Sequence, residues 1–194
     1  MSYHMYTTEA LVCGSYERNG ADRTLLLLTE ALGMVYATAR SIREERSRQR
    51  TALQEFSVAR VSLINGRAGW RVGSVEAGPN VFLAADDRRT RAHIVRIIRL
   101  LRRYVHGELE TATIYTLATT AIIALARGQV SSPDTFTDVV LYRILYELGY
   151  VAPTTTERAL VNDPLESFFD RTYEAVVVQG VRRAVHAAAT SSQL

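Results

Sequence analysis

Lysine is absent from this chain, and all 23 of its basic residues are arginine. A base-composition bias in the genome explains that as well as chemistry does, so the absence points to no function by itself. Cysteine is nearly absent: Cys13 stands alone, which excludes an internal disulfide framework and points to a reducing compartment. No apolar run reaches the ~20 residues that a spanning helix needs. The longest, residues 112–126, carries Thr113, Thr116, Thr119 and Thr120, so a buried helix of a soluble protein is expected there, and no membrane partner. The amino terminus has no basic segment leading into an apolar core, so no secretory signal is expected. Neither a Walker lysine motif nor a dinucleotide glycine fingerprint occurs, which leaves nucleotide hydrolysis and hydride transfer without support.

Metal and catalytic signatures are missing as well. His4, His93, His106 and His186 have neither metal-ligand spacing nor a paired nucleophile. The acidic pairs Asp86/Asp87 and Glu108/Glu110 suggest Mg²⁺ chemistry at first sight. Adjacent helical residues point about 100° apart, however, and no third carboxylate is placed to complete a site. Helix capping accounts for these acids with less assumption. The expectation is a non-enzyme with no catalytic residue, no cofactor and no metal.

What is present is apolar content of 47% over 194 residues, enough for one large domain or two small ones. The net charge of +3 hides a segregation. Residues 40–50 hold Arg40, Arg43, Arg46, Arg48 and Arg50 against two glutamates, and residues 88–103 hold seven arginines and no acid. The rest of the chain is correspondingly acidic. Such clustering points to a polyanionic partner more strongly than the mild total does.

The hydropathy pattern divides the chain in two. Residues 7–16 alternate, Asn19-Gly20 signals a turn, and 23–29 returns as a second strand. Leu25 to Leu28 break the alternation, as expected where a second domain covers the outer face of a barrel strand. Gly33 turns the chain into a third strand, 34–39; 56–65 and 70–75 read as two more, joined by Asn65-Gly66-Arg67-Ala68-Gly69. Five strands without a long helix make a small barrel the natural solution. Gly78-Pro79-Asn80 marks the change from period two to period 3.6.

Beyond it the pattern is helical. Residues 86–105 place Ile94, Ile97, Ile98, Leu101, Tyr104 and Val105 on one face and the arginines, among them Arg88, Arg89, Arg96, Arg99 and Arg103, on the other. Helices are expected over 111–127, from Pro133 to Gly149, and from Pro164 to about Ala188, with a polar connection over 150–163. The expected domains are 1–79 and 80–194.

Several words in the first part, in order and spacing, resemble the amino-terminal part of the bacterial RecO recombination-mediator family. They are Thr8-Glu9-Ala10-Leu11-Val12, Ala21-Asp22-Arg23-Thr24-Leu25, Glu30-Ala31-Leu32-Gly33, Ala39-Arg40, Leu53-Gln54-Glu55-Phe56 and Trp70-Arg71-Val72-Gly73-Ser74-Val75-Glu76. Leu148-Gly149-Tyr150 looks like the turn that leads, in many members, into a four-cysteine zinc module. Here Thr154-Thr155-Thr156-Glu157-Arg158 follows instead, so no metal is expected, and the helical domain is shorter than is usual for the family.

The resemblance implies an α+β protein, an amino-terminal five-stranded OB barrel followed by an all-α domain. It implies binding of single- and double-stranded DNA, annealing of complementary strands, and help to RecA, with RecR, in replacing single-strand binding protein, whose tail is a further partner. The implied location is cytoplasmic and nucleoid-associated. The arginines named above would follow phosphates, with solvated loop and helix faces as the alternative. Tyr36 and Trp70 are candidates for stacking on bases; Trp70 reads better as core, while Tyr36 stays open between the two. A second reading from another class is an adaptor whose arginine helix holds an acidic protein. A third is a DNA-processing nuclease.

Overall fold

The computed structural model describes residues 4–17, 20–42, 44, 47, 49–107 and 111–191. Five strands come first: β1 (His4–Glu17), β2 (Arg23–Thr29), β3 (Gly33–Ala39), β4 (Ser57–Gly66) and β5 (Gly69–Asn80), with a short helix α1 (Gln49–Ala52) between β3 and β4. Then come α2 (Val81–Ala84), α3 (Arg88–Tyr104), α4 (Ala112–Ala126), α5 (Pro133–Glu147), α6 (Arg158–Asn162), a 3₁₀ turn (Leu165–Phe168) and α7 (Ala175–Ser191). The architecture is α+β, and the strands close into a barrel in the order β1-β2-β3-β5-β4. All neighbours are antiparallel except β3 and β5, which run parallel. That is the five-stranded OB arrangement.

The chain forms two compact units, one running to Ala84 and including Val105–Tyr115, the other made of Ala85–Tyr104 and the chain from Thr116. In the first, alternation decides what faces inward. Ala10, Val12, Leu25, Leu27, Val35, Ala37, Ala59, Val61, Leu63, Trp70 and Val72 fill the barrel, and Ile42 and Leu53 join the same cluster. β1 is long enough to pair β4 through its first half and β2 through its second, with a register shift at Cys13. The carbonyl of Val12, beside that bulge, accepts the N–H of Phe56 at 2.8 Å. Leu26 and Leu28 are buried along with Leu25 and Leu27, so β2 is covered on both faces at this end. The returning segment is tied there by Met34 N–H to the Gly107 carbonyl (3.1 Å) and by the Thr111 hydroxyl to the Thr29 carbonyl (3.1 Å).

The second unit is built around α5, buried nearly all round through Phe136, Val139, Val140, Leu141, Tyr142, Ile144 and Leu145. Asp138 is buried among them and accepts from Arg96 of α3 and Arg182 of α7, each at 2.7 Å. A buried carboxylate requires such pairing, and here it joins three helices. Asp87 caps α3: its carboxylate accepts the N–H groups of Arg89 (2.7 Å) and Thr90 (3.0 Å) and the Thr90 hydroxyl (2.6 Å).

The structure corrects three expectations. β5 continues past Val75 to Asn80, because the β4–β5 ladder shifts register between Ser57 and Ala59 and an irregularity of that kind accommodates Pro79. Residues 150–163 are not merely a polar connection: α6 buries Leu160 and Val161, and Glu157 beside it is buried too, accepting from the Tyr142 hydroxyl and the Thr154 N–H, each at 3.0 Å. Those hydrogen bonds outweigh burial, which acts the other way, and hold the Glu157 carboxyl below its ordinary range. Nor does a helix run on from Pro164. The chain leaves the 3₁₀ turn so that Phe169 meets Phe136 edge-on at 5.6 Å and Tyr173 stacks on Phe168 at 6.3 Å, and α7 begins only at Ala175.

Candidate nucleic-acid interface

The register of the barrel places one outward row around its circumference. Tyr16 pairs with Thr24, Thr24 with Thr38, Thr38 with Arg71, Arg71 with Ile64, and Ile64 with Met5. In the next outward row on β3 stands Tyr36, opposite Leu26. Tyr36 and Tyr16 are 59% and 44% exposed, large values for tyrosines on a barrel. Their ring centroids lie 6.2 Å apart with planes tilted by 41°. Two accessible π faces thus sit side by side with Arg71 beyond Thr38, and Arg67 is exposed in the hairpin between β4 and β5. Trp70, by contrast, is part of the core, its ring 5.5 Å from Tyr6 in edge geometry.

Arg40 is exposed where the chain leaves β3. The turn after it is fixed by the Ser41 N–H, which donates to the Asp22 carboxylate at 2.8 Å. Arg50 is exposed on α1. Arg43, Arg46 and Arg48 lie outside the described residues. Tyr36, Arg40 and Arg50 therefore belong to the barrel unit, and Arg88, Arg89, Arg96, Arg99 and Arg103 to the helical one.

The arginine face of α3 is less uniform than its sequence. Arg88 and Arg99 are exposed, but Arg89 pairs with Asp134, Arg96 with Asp138, and Arg103 donates to the Ala189 carbonyl at 2.7 Å. Arg91 likewise donates to the Ala85 carbonyl at 2.9 Å. Those partners lie tens of residues away in sequence in all cases but the last, so the helical period could not reveal them. Sequence reasoning also passed over Tyr16, Arg67 and Arg71. Tyr16 and Arg71 carry a signal only once the register is known, and Arg67 stands in a hairpin read for its glycines.

Inside the second unit, His93 is 3% exposed, and its Nε2 stands 3.6 Å from the Asp134 carboxylate, too far for a hydrogen bond. Burial holds the imidazole below its ordinary range, opposed by Asp134 and reinforced by Arg96 and Arg89. The folded unit therefore keeps His93 neutral while the unfolded chain still takes up a proton. Stability contributed by the neutral form is present above the unfolded value of 6.5 and is lost as pH falls through the lower folded value. Replacing His93 with Leu is expected to flatten this acid loss, read as denaturation midpoints by circular dichroism at about pH 7.5 and about pH 5.5. Equal losses in both proteins would remove His93 from the account.

Among the described residues, no group of three or more His, Cys, Asp or Glu is placed to hold a metal ion, and no helix is long and apolar enough to cross a membrane.

The barrel and its sequence can be set beside known proteins. Residues 1–76 match the family described as Recombination protein O N terminal. The amino-terminal domain is thus similar to that of RecO proteins. Two curated relatives, both called DNA repair protein RecO, come from Desulfitobacterium hafniense, strains DSM 10664 / DCB-2 and Y51. Each is 30% identical over 118 residues, which cover 58% of this chain and 43% of the relative. The chain thus spans less than half the length of these RecO proteins. The match to the relatives is longer than the 76 residues matched by the family, so the likeness is not confined to the barrel.

Proposed function

We propose that this protein is a non-enzymatic mediator of DNA repair and recombination in the cytoplasm, which binds single- and double-stranded DNA and anneals complementary strands. In this reading it acts with RecR to help RecA replace single-strand binding protein, whose acidic tail it also meets. The observation that carries it is the pair of exposed tyrosines, flanked by arginine, on the outer face of an OB barrel similar to that of RecO proteins. Stacking on tyrosine tolerates any base, and guanidinium groups meet any phosphate, so sequence preference is not expected. Arginines on barrel and helix, neutralising phosphates of two strands at once, would reduce the repulsion that opposes their pairing.

The alternative, an adaptor using the α3 arginines to hold an acidic protein, has less free charge to work with. Arg89, Arg96 and Arg103 are already engaged within the helical unit.

Fluorescence anisotropy of a labelled single-stranded oligonucleotide, titrated with protein at several salt concentrations, tests the reading. The logarithm of affinity is expected to fall linearly with the logarithm of salt, by about 0.7 per phosphate neutralised. Failure to bind at low salt would sink the mediator reading and favour the adaptor.

A further inference from the structure

At the start of β2, Arg23 stands in an inward row, in register with Glu17 on one side and Ala39 on the other. Its Nε is buried and meets no acceptor among the described residues. Native proteins seldom leave a buried donor in that condition, and a bound water or ion is the usual answer. Arg23 lines a depression of about 440 Å³ together with Arg50 and Gln54, over Ile42 and Leu53.

The composition of that depression selects its ligand. Ile42 and Leu53 belong to the barrel core, 4% and 2% exposed, and supply no acceptor. Among the described residues, the walls carry two guanidinium groups and one amide. Of the nearby acids, Asp22 already accepts from the Ser41 N–H, and Glu17, opposite Arg23 in the ladder, is not among the lining residues. Among the described residues, a lining of two guanidinium groups and an amide over an apolar floor, with no carboxylate, suits a tetrahedral oxyanion, since guanidinium donors match phosphate oxygens in pairs.

We propose that this depression is a phosphate-binding site, in which Arg23 Nε–H and the Arg50 guanidinium donate to the oxygens of one phosphate group. The assignment rests in part on the DNA-binding reading. Thr24, next to Arg23, lies in the outward row with Tyr16 and Thr38, so a strand stacked on the tyrosines passes one residue from the site. A phosphate of that strand and free inorganic phosphate share the required chemistry.

The test is a titration of the full chain with inorganic phosphate, followed by NMR at the arginine Nε–Hε resonances. Saturable shifts at Arg23 and Arg50 are expected, with affinity lowered roughly tenfold in Arg50→Gln, read at Arg23, and further in Arg23→Gln, read at Arg50. Arg50 is exposed, so its variant keeps the fold, as unchanged Trp70 fluorescence would verify. A non-saturating drift in the wild type, or equal affinity in both variants, overturns the proposal. Because this titration contains no DNA, it stands or falls apart from the mediator reading. Adding a single-stranded oligonucleotide then separates the sources: displacement of the phosphate assigns the site to the strand, and simultaneous binding assigns it to the free anion.

Discussion

Replacing Tyr36 with Ala is expected to weaken single-stranded DNA binding roughly tenfold, and replacing Tyr16 as well to bring the loss to about a hundredfold. The magnitude follows from stacking, at ~1 to 3 kcal/mol per base, with each 1.4 kcal/mol equal to a factor of ten. Both side chains are exposed, so neither contributes a filled core position, and the variants should keep the stability of the parent. Tyr36→Phe keeps the ring and loses only the hydroxyl; its affinity should stay within about threefold of the parent if stacking is the cause. Unchanged affinity in the double alanine variant, at a salt concentration where the parent binds, would move DNA off this face.

The salt dependence separates this contribution from that of charge. Alanine at Tyr16 and Tyr36 should lower affinity without changing the slope against salt, because no phosphate contact is lost. Substitutions of Arg40 and Arg50 should do both, and lower affinity across unrelated sequences. A fall in slope on removing the tyrosines would mean that the strand had shifted its path.

Much of the barrel was legible in the chain because turns and alternation are local. Gly20 and Gly33, at φ +70° and +75°, sit where the backbone must turn with a left-handed residue, and they bracket β2 as turn signals. The RecO words fall on the strands and turns of the same barrel. Tyr36 faces outward by simple parity with the core residues Val35 and Ala37. Tyr16 does not yield to the same reasoning, since the register shift at Cys13 reverses the parity of β1 before that residue is reached. A bulge of one residue is invisible to a period-two pattern.

The helical unit was less legible for a related reason. Phe168, Tyr173, Val177 and Val181 are spaced as a helix would space them, yet Tyr173 reaches Phe168 across a segment that is not helical, with its ring stacked and its hydroxyl donating to the Phe168 carbonyl at 3.3 Å. The arginine face of α3 looked unpartnered because its acids, Asp134 and Asp138, arrive from another helix. Periodicity locates a face; it does not say what the fold brings to it.

Phe136→Ala is expected to cost the helical unit about 3–5 kcal/mol, the range for removing a fully buried aromatic ring. Phe136 is 0% exposed on α5 and meets Phe169 edge-on at 5.6 Å, so the truncation removes both its own contacts and the wall against which Phe169 rests. That segment is also tied by the Ser131 N–H to the Phe169 carbonyl at 2.9 Å, the Phe169 N–H to the Glu166 carbonyl at 3.2 Å and the Ser131 hydroxyl to Asp170 at 2.5 Å. The space left is bounded by the buried helix α5, whose neighbours Val139 and Val140 are fixed by their own packing, and partial collapse is therefore poor compensation. Because a domain's whole stability is about 5–15 kcal/mol, the loss should appear as a large fall in the urea midpoint followed by far-ultraviolet circular dichroism, with the slope of the transition unchanged. Trp70, the one tryptophan of the chain, lies in the barrel core and reports on the barrel by fluorescence in the same titration. A midpoint shift equivalent to less than about 1 kcal/mol would mean that α5 relaxes into the cavity and that Phe136 is not the centre of this core.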